Sequence, residues 1–320
     1  MNRRQTIPAH LRYTIDNFRR DYPTDDVCLE AIKNQRYPGG VTFCSGCGQD
    51  RKLYRVAKRT AYACERGHQF YPLAGTIFEK STTALHIWFY AMYLMGSTRC
   101  GISAKQIQRE TGVTYKTAWR MFKQIRSLLS ETDMQLEGST IEIDETYVGG
   151  KRKNKHGSRG MRGRDNDEKT PVFGMVERGG KGRVMAFVTP DVKAATLFPI
   201  IEEKILPSST VYSDEYSVYD RLATPANGYD HRRIKHAQKI YVMGDVHTQT
   251  IEGFWSLVKR GIGGVYHSVS KKYLQTYLNE YSFRYNRRDQ GNLIFSAILE
   301  RVSQKASEKP SAPVVQNQTL

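Results

Sequence analysis

Four potential metal ligands, grouped in two pairs, constrain the fold of this chain more than any other feature. Cys44 and Cys47 form a CxxC pair, and after sixteen intervening residues Cys64 is followed by His68. Three thiolates and one imidazole can complete a tetrahedral zinc site of the zinc-ribbon kind. The intervening segment 52–62 alternates apolar and polar residues, which predicts a hairpin between the two pairs. A surface role for His68, with no metal bound, stays open because only the first pair has the usual two-residue gap.

The charge of the chain indicates a polyanionic partner. Lys and Arg number 49 against 32 acidic residues, which gives a net charge of +17 over 320 residues and a pI of about 9.6. Double-stranded DNA is the partner that such a basic chain is expected to bind. A basic protein without a nucleic-acid partner is the alternative.

Cysteine usage and hydropathy indicate the cellular compartment. The five cysteines include a CxxC, a pattern that favours metal over disulfides in a reducing environment. The apolar run 84–95 is shorter than the roughly 20 residues that a membrane-spanning helix needs. No basic-then-apolar signal segment opens the sequence, so we expect a cytoplasmic protein with no membrane partner.

Residues 101–131 have the pattern of a basic helix-turn-helix. Ser103 can cap a first helix, Gly112 lies in the turn, and Thr114 can cap a second helix. We expect that second helix to bind DNA through the phosphate backbone, which gives affinity rather than sequence choice. The predicted contact residues are Lys116, Thr117, Arg120, Lys123 and Arg126. An ordinary helical hairpin is the alternative.

Three acidic residues in the C-terminal half form a pattern suited to divalent metal ions. Asp144 lies in the β-like run TIEIDETYVGG, Asp214 in STVYSDEYSVY, and Glu252 near the start of a predicted helix. Separated carboxylates of this kind can hold two Mg²⁺ or Mn²⁺ ions for phosphoryl transfer. Lys259 follows Glu252 by two helical turns, about 10 Å along the same face, and is predicted to bind a phosphate or a base edge. A solvated helix cation is the alternative for Lys259.

Other charged residues are predicted to support this site. Glu142 shares a strand face with Asp144, so it is a candidate supporting group or substitute ligand. His247 is interpreted as a structural or supporting residue, and its position just before the helix of Glu252 leaves a ligand role open as the alternative. A glycine-rich basic segment follows the strand of Asp144, and we expect it to grip phosphate, with a solvated linker as the alternative. Its first cations are Lys151, Arg152 and Lys153.

The order of short β-runs followed by helices predicts an α/β fold in the C-terminal half. Residues 1–40 are predicted to form a helical preface, and residues 41–74 the zinc ribbon. Residues 75–135 are predicted to form a helical region with the helix-turn-helix, and residues 139–302 the α/β domain. The polar, Pro- and Ser-containing residues 303–320 are predicted to form a disordered tail.

The motifs TIEIDETYVGGK, VYSDEYSVY, HTQTIEGFWSLVKRG and YLNEYSFRYNRR occur in this order. With them the chain resembles the DDE transposases of bacterial insertion sequences, in the group with an N-terminal zinc ribbon and a helix-turn-helix. The resemblance covers most of residues 20–300. It implies an RNase H-like catalytic domain with the three acids on the first strand, after the fourth strand and on a later helix. Those positions fall on Asp144, Asp214 and Glu252.

The same resemblance implies an activity. A DDE transposase binds the terminal inverted repeats of its element and uses Mg²⁺ to cleave the ends and join them to target DNA. Bringing two ends together implies at least a homodimer on DNA. Relatives often carry a second CxxC where this chain has Cys64 and His68. A DNA-binding regulator, a domesticated inactive transposase and a nuclease that only hydrolyses DNA are the competing functions.

Overall fold

The computed structural model of the chain describes residues 8–131, 133–137, 140–149, 169–179, 182–224, 228–233, 248–291 and 293–307. These residues divide into two compact units. The first unit comprises the described residues of Met1–Thr98, Ala104–Leu128 and Gln290–Leu320. The second unit comprises those of Arg99–Ser103 and Leu129–Asp289.

Both units contain helices and strands. In chain order the helices are α1 (Ile15–Asp21), α2 (Asp25–Arg36), α3 (Leu85–Ser97), α4 (Ala104–Thr111), α5 (Tyr115–Ser127), α6 (Ala194–Lys204), α7 (Gln249–Gly261), α8 (Lys271–Asn286) and α9 (Ile294–Ser307). The strands are β1 (Phe43–Cys44), β2 (Gln49–Asp50), β3 (Leu53–Arg55), β4 (Tyr62–Cys64), β5 (Gln69–Phe70), β6 (Thr140–Val148), β7 (Thr170–Arg178), β8 (Val184–Val188), β9 (Thr210–Ser213) and β10 (Asp230–Arg233). None of the described helices combines the length and hydropathy needed to cross a membrane.

An aromatic cluster forms the core of the first unit. Phe18 of α1 stacks on Tyr93 of α3 with ring centroids 5.1 Å apart, and Phe295 of α9 packs edge-on to Phe18 at 5.8 Å. Gly96 permits this packing, because a Cβ there would lie only 2.8 Å from the backbone nitrogen of Phe295. From the sequence, residues 290–302 are predicted to belong to the α/β domain, with a disordered tail from residue 303. In the structure α9 packs with α2 and α3 and continues to Ser307.

A five-stranded mixed sheet forms the centre of the second unit. Its strand order is β10-β9-β6-β7-β8, in which β6, β7 and β8 are antiparallel neighbours while β9 and β10 run parallel to β6. This arrangement confirms the predicted mixed α/β class. One face buries apolar side chains against α6, and the other buries them against α7 and α8. The sheet therefore has helices on both faces.

Strand β6 presents different chemistry to its two faces. Ile141 and Ile143 belong to the core on the α6 side. Glu142 and Asp144 contact α7 on the opposite side, as the two-residue period of a strand requires. The alternation places two acidic side chains of one strand beside the helix that carries Glu252.

Candidate active site and metal centre

The zinc-ligand residues of the first unit come together as predicted. The ligand atoms of Cys44, Cys47, Cys64 and His68 all lie within 4.8 Å of one another. The Cys47 and Cys64 sulfurs are 3.8 Å apart, and the Cys47 sulfur is 3.2 Å from His68 Nδ1. Zinc–sulfur bonds of about 2.3 Å in a tetrahedron separate two sulfurs by about 3.8 Å. The donor set and its spacing support a structural zinc ion.

Two local features favour zinc binding by this cluster. Burial raises the pKa of the Cys64 thiol, but hydrogen bonds from the Arg66 and His68 backbone and from Cys44 and Cys47 together lower it to about 6, while burial and the neighbouring thiols raise the pKa of Cys47. The Cys64 thiolate that zinc needs is therefore favoured at neutral pH. Gly46 lies against the imidazole, since a Cβ at this position would be 2.5 Å from His68 Cγ. A glycine between the two N-terminal cysteines thus leaves room for the ring.

A cavity of about 500 Å³ lies between β6 and α7 in the second unit. It is lined by Asp144, Glu145, Thr146, Glu252, Trp255, Ser256, Lys259 and Arg260. Glu252 lies on the first turn of α7, and Lys259 and Arg260 lie two turns further along, with all three side chains exposed. The cavity therefore has carboxylates at one end and cations at the other.

Asp214 lies beside Asp144 without lining this cavity. The parallel register pairs Glu142 with Tyr212, so continuing it by two residues places Asp214, the residue directly after β9, next to Asp144. One oxygen of Asp214, Oδ1, accepts a hydrogen bond from the backbone nitrogen of Tyr216 at 2.9 Å. Among the described residues, the zinc-ligand residues form the one group of three or more side chains that could hold a metal ion as they stand, and Asp144, Asp214 and Glu252 do not form such a group.

The environment of Asp144 disfavours its negative charge. Burial raises the pKa of Asp144 to about 8, and the charges of Glu145 and Asp214 contribute. A hydrogen bond from Trp255 Nε1 to Asp144 Oδ2, 3.0 Å long, acts in the opposite direction. A cation bound near Asp144, Glu145 and Asp214 would reduce the repulsion among these three carboxylates.

Glu142 anchors the start of α7. Its side chain is fully buried and accepts hydrogen bonds from the Ile251 backbone nitrogen at 2.9 Å and from Thr250 Oγ1 at 2.8 Å. Arg178, which pairs with Glu142, lies with its guanidinium 4.5 Å from the Tyr212 ring centroid. A carboxylate at a helix N-terminus satisfies free N–H groups and complements the helix dipole. Of the two roles left open for Glu142, these contacts favour the supporting one.

Glu145 points toward the other face of the sheet although it also borders the cavity. Tyr219 donates a hydrogen bond to Glu145 Oε2 at 2.7 Å. Burial, followed by the charge of Glu145, raises the pKa of Tyr219 well above its ordinary value, so the phenol stays protonated as the donor. This contact fixes one carboxylate oxygen of Glu145 on Tyr219, although the charge of Glu145 still acts on Asp144.

Helices α4 and α5 have the predicted helix–turn–helix spacing. Gly112, in the turn, has a φ of +72°, and the Thr114 hydroxyl caps α5 by accepting from the Thr117 backbone nitrogen at 3.2 Å. Three of the predicted contact residues are exposed, and these are Lys116, Arg120 and Lys123. Thr117 is half-buried.

The expectation that Arg126 lies on the exposed face of α5 is corrected by the structure. Arg126 is only 4% exposed, and its guanidinium lies 5.0 Å from the centroid of the Phe122 ring. Phe122 precedes it by four residues, so both side chains project from the same, buried face of the helix. Arg126 is therefore part of the packing between α5 and its surroundings rather than of the exposed basic face.

Some predicted site residues lie outside the described part of the chain, and some residues that line the cavity were not predicted from the sequence. Lys151, Arg152, Lys153 and His247 lie outside the described residues. Ser256 and Arg260 follow Glu252 by four and eight residues, so the helical period could have identified them as cavity residues. Trp255 had no such signal, because its contact with Asp144 joins residues that are 111 positions apart.

Comparison with known proteins defines the class. Residues 135–286 match the ISXO2-like transposase domain, and residues 23–69 match the transposase zinc-ribbon domain. The chain is 34% identical over 266 residues to the "uncharacterized protein in transposable element ISH50" of Halobacterium salinarum, covering 78% of this chain and 86% of that protein. It is 33% identical over 109 residues to an "uncharacterized transposase-like protein" of Haemophilus influenzae, covering 34% of this chain and 85% of that protein.

These matches identify the chain as a transposase. In particular, it belongs to the family of ISXO2-like transposases of the insertion-sequence type, with a zinc ribbon near its N-terminus.

Proposed function

We propose that this transposase binds the terminal inverted repeats of an insertion sequence, cleaves the DNA at those ends and joins them to target DNA. The observation that carries the proposal is the cavity of the second unit, where Asp144 and Glu252 lie together with Lys259. Asp214 is adjacent to Asp144 by strand register and by its effect on the Asp144 pKa. Carboxylates that are far apart in sequence thus lie in one region of the second unit, which supports metal-dependent phosphoryl transfer.

The sheet supports an RNase H-like fold for this unit. Numbered along the chain, its strands lie in the order 3-2-1-4-5, with the first three antiparallel and the fourth and fifth parallel to the first. Asp144 lies on the first of these strands, Asp214 directly follows the fourth, and Glu252 lies on a later helix. That is the layout implied by the resemblance to DDE transposases.

The acidic residues fit a hard divalent cation. Carboxylate oxygens are the ligands that Mg²⁺ and Mn²⁺ prefer, and a cation would offset the burial and the charge repulsion that together raise the pKa of Asp144. We assign the ion binding to Asp144, Asp214 and Glu252. When bound, two such ions supply Lewis acidity and charge neutralisation at the reacting phosphate.

The remaining cavity residues act on the DNA itself. Lys259 and Arg260 are exposed cations at the far end of the cavity, placed to bind phosphate oxygens and hold the strand in line with the acids. Cleavage uses water as the nucleophile. Joining uses the 3′-hydroxyl of the cut end, which forms a new bond to a target phosphate as the target strand's own P–O bond breaks.

The first unit supplies the binding of the transposon ends. The exposed cations Lys116, Arg120 and Lys123 of α5 are positioned to contact DNA phosphates, which orients the protein on the duplex. Two ends must be held together for joining, so the active species on DNA is at least a dimer. Arg126 has no part in this contact because it is buried.

Cleavage and joining of an inverted-repeat end in Mg²⁺ test the proposal. The wild-type chain should perform both, whereas Asp144→Asn should reduce both below detection and leave binding of the end within about twofold of wild type. Glu202→Gln, which neutralises an exposed acid on α6, is the matched control and should retain activity. Binding without cleavage by the wild-type chain would indicate a regulator or an inactive transposase, and cleavage without joining would indicate a nuclease.

A further inference from the structure

Trp255 makes a directed contact with the carboxylate of Asp144. Its indole nitrogen lies 3.0 Å from Asp144 Oδ2, and the Trp255 side chain is only 4% exposed. An indole N–H can only donate, so the contact selects one orientation of the carboxylate and one oxygen as its acceptor. The second oxygen, Oδ1, is thereby directed away from the indole.

Gly174 makes room for the indole. It is the cross-strand partner of Asp144 in the pairing of β6 with β7. A Cβ at Gly174 would lie 2.4 Å from Cζ2 and 2.6 Å from Cη2 of Trp255, closer than real atoms approach. The backbone of Gly174 is not in the left-handed region, so its conformation does not require glycine. Glycine weakens the interior of a strand, and the close approach of the indole explains why β7 has a glycine at this position.

We propose that Trp255 is a positioning residue for Asp144, and that Gly174 is the residue that permits this positioning. The inference rests on the proposed function, because it treats Asp144 as a cation-binding carboxylate. Trp255 and Glu252 lie three residues apart on α7, so the indole contact also fixes the helix that carries Glu252 against the strand that carries Asp144. One hydrogen bond thus sets both the orientation of Asp144 and its separation from Glu252.

A purely structural role for Trp255 makes a different prediction. The indole also packs in the apolar core with residues such as Ile251 and Val258, so its loss could act through stability alone. Trp255→Phe separates the two roles, because phenylalanine keeps most of the apolar burial and lacks the N–H donor. If only packing matters, cation binding by the folded variant should equal that of wild type.

The test measures the affinity of the full-length chain for Mn²⁺ from the EPR signal of the free ion. It uses no DNA, so it does not depend on catalytic activity. Removing a group that orients a metal ligand costs about 10- to 100-fold in metal affinity. We expect a loss in this range for Trp255→Phe. Trp88→Phe is the matched control, since Trp88 Nε1 donates an equally long 3.0 Å hydrogen bond to Ser81 in the first unit. This control should bind Mn²⁺ with unchanged affinity.

The role of Gly174 is tested by a double-mutant cycle. Gly174→Ala should weaken Mn²⁺ binding as Trp255→Phe does, because the added methyl group displaces the indole. In the double variant the alanine should cost little more, since phenylalanine lacks Cζ2 and Cη2. Full additivity of the two losses would refute the role assigned to Gly174. Should Gly174→Ala fail to fold, Trp255→Phe alone decides the proposal.

The outcomes distinguish this inference from the proposed function. Wild-type Mn²⁺ affinity in folded Trp255→Phe would overturn the positioning role and leave the proposed function standing, provided that Asp144→Asn loses the ion. Wild-type Mn²⁺ affinity in Asp144→Asn would instead contradict the proposed function, and the positioning role with it.

Discussion

The two candidate metal sites of this transposase are built in opposite ways. The zinc cluster takes all its ligands from 25 consecutive residues, Cys44 to His68, and their ligand atoms lie within 4.8 Å of one another. The acidic site takes its carboxylates from β6, from the residue directly after β9 and from α7, spread over more than a hundred residues, and they do not form such a compact group. Structural zinc sites are closed, whereas catalytic sites keep positions for substrate. This difference is consistent with a structural role for the first site and with the catalytic role that we propose for the second.

The largest predicted effect comes from removing zinc. The strands of the ribbon are only two or three residues long, so its fold depends on the metal. We expect Cys47→Ser, or stripping with a strong chelator, to unfold residues 41–74 as seen by amide hydrogen exchange. Removing Mg²⁺ should leave the exchange pattern unchanged, because we expect the ribbon to need its metal ion for folding and the second unit not to need one.

Cys100→Ser is the control for this experiment, because Cys100 is an exposed cysteine outside the cluster. It should retain one zinc per chain by elemental analysis. A ribbon that keeps its protected amides without zinc would break the comparison, since the cluster would then not be needed for the fold.

The next effect concerns the anchor of α7. Glu142→Gln removes the charge of the fully buried carboxylate that pairs with the half-buried Arg178, and breaking a buried ion pair costs at most about 3–5 kcal/mol of stability. It also removes the charge that caps α7, so we expect the rate of cleavage per folded molecule to fall. Thermal unfolding and single-turnover cleavage measure the two effects.

Glu280→Gln is the matched control for Glu142→Gln. Glu280 is equally buried and pairs with Arg284, whose NH2 lies 2.8 Å from Glu280 Oε1. It should lose similar stability and retain the cleavage rate of its folded fraction. Equal activity in the two folded variants would show that Glu142 stabilises the unit without affecting the acidic site.

Local sequence patterns predict more of the zinc site than of the acidic site. The zinc ligands lie close together along the chain, so their spacing alone predicted the cluster that the structure confirms. The strand of Asp144 and the helix of Glu252 also followed from local patterns. Glu142 capping a helix 109 residues away and Gly174 under an indole depend on tertiary packing that no local pattern encodes. Their roles became visible only when the sheet and α7 were placed together.

Arg126 shows a different limit of the same reading. Its charge suggested an exposed position, but its spacing from Ala118 and Phe122 places it on the buried face of α5. The helical period was the better guide, because an arginine can bury its stem and stack its guanidinium on an aromatic ring.

A smaller effect is expected where the zinc site is tightest. Gly46→Ala would place a Cβ 2.5 Å from His68 Cγ and push the imidazole away from the other ligands. We expect zinc affinity to fall by about 10- to 100-fold, as for other disturbances next to a metal ligand. Competition with a chromophoric chelator measures the change.

The companion substitution His68→Cys sharpens this test, because a cysteine has no ring for the new methyl group to strike. Gly46→Ala should therefore be tolerated in the His68→Cys background. Gly39→Ala is the control, since a Cβ there meets nothing within 4 Å. Equal losses from Gly46→Ala in both backgrounds would show that the glycine serves the backbone of the turn and not the histidine.

The smallest effect concerns the open end of the acidic site. Lys259→Gln removes an exposed cation that we assign to a DNA phosphate, and losing one such contact reduces the slope of log affinity against log salt by about one. Binding of a transposon end at several salt concentrations measures the slope, and Mn²⁺ affinity without DNA should not change. Lys271→Gln, an exposed lysine at the start of α8 outside the cavity, should leave the slope unaltered. An unchanged slope for Lys259→Gln would mean that DNA does not enter the cavity from its cationic end, and the open geometry would then need another explanation.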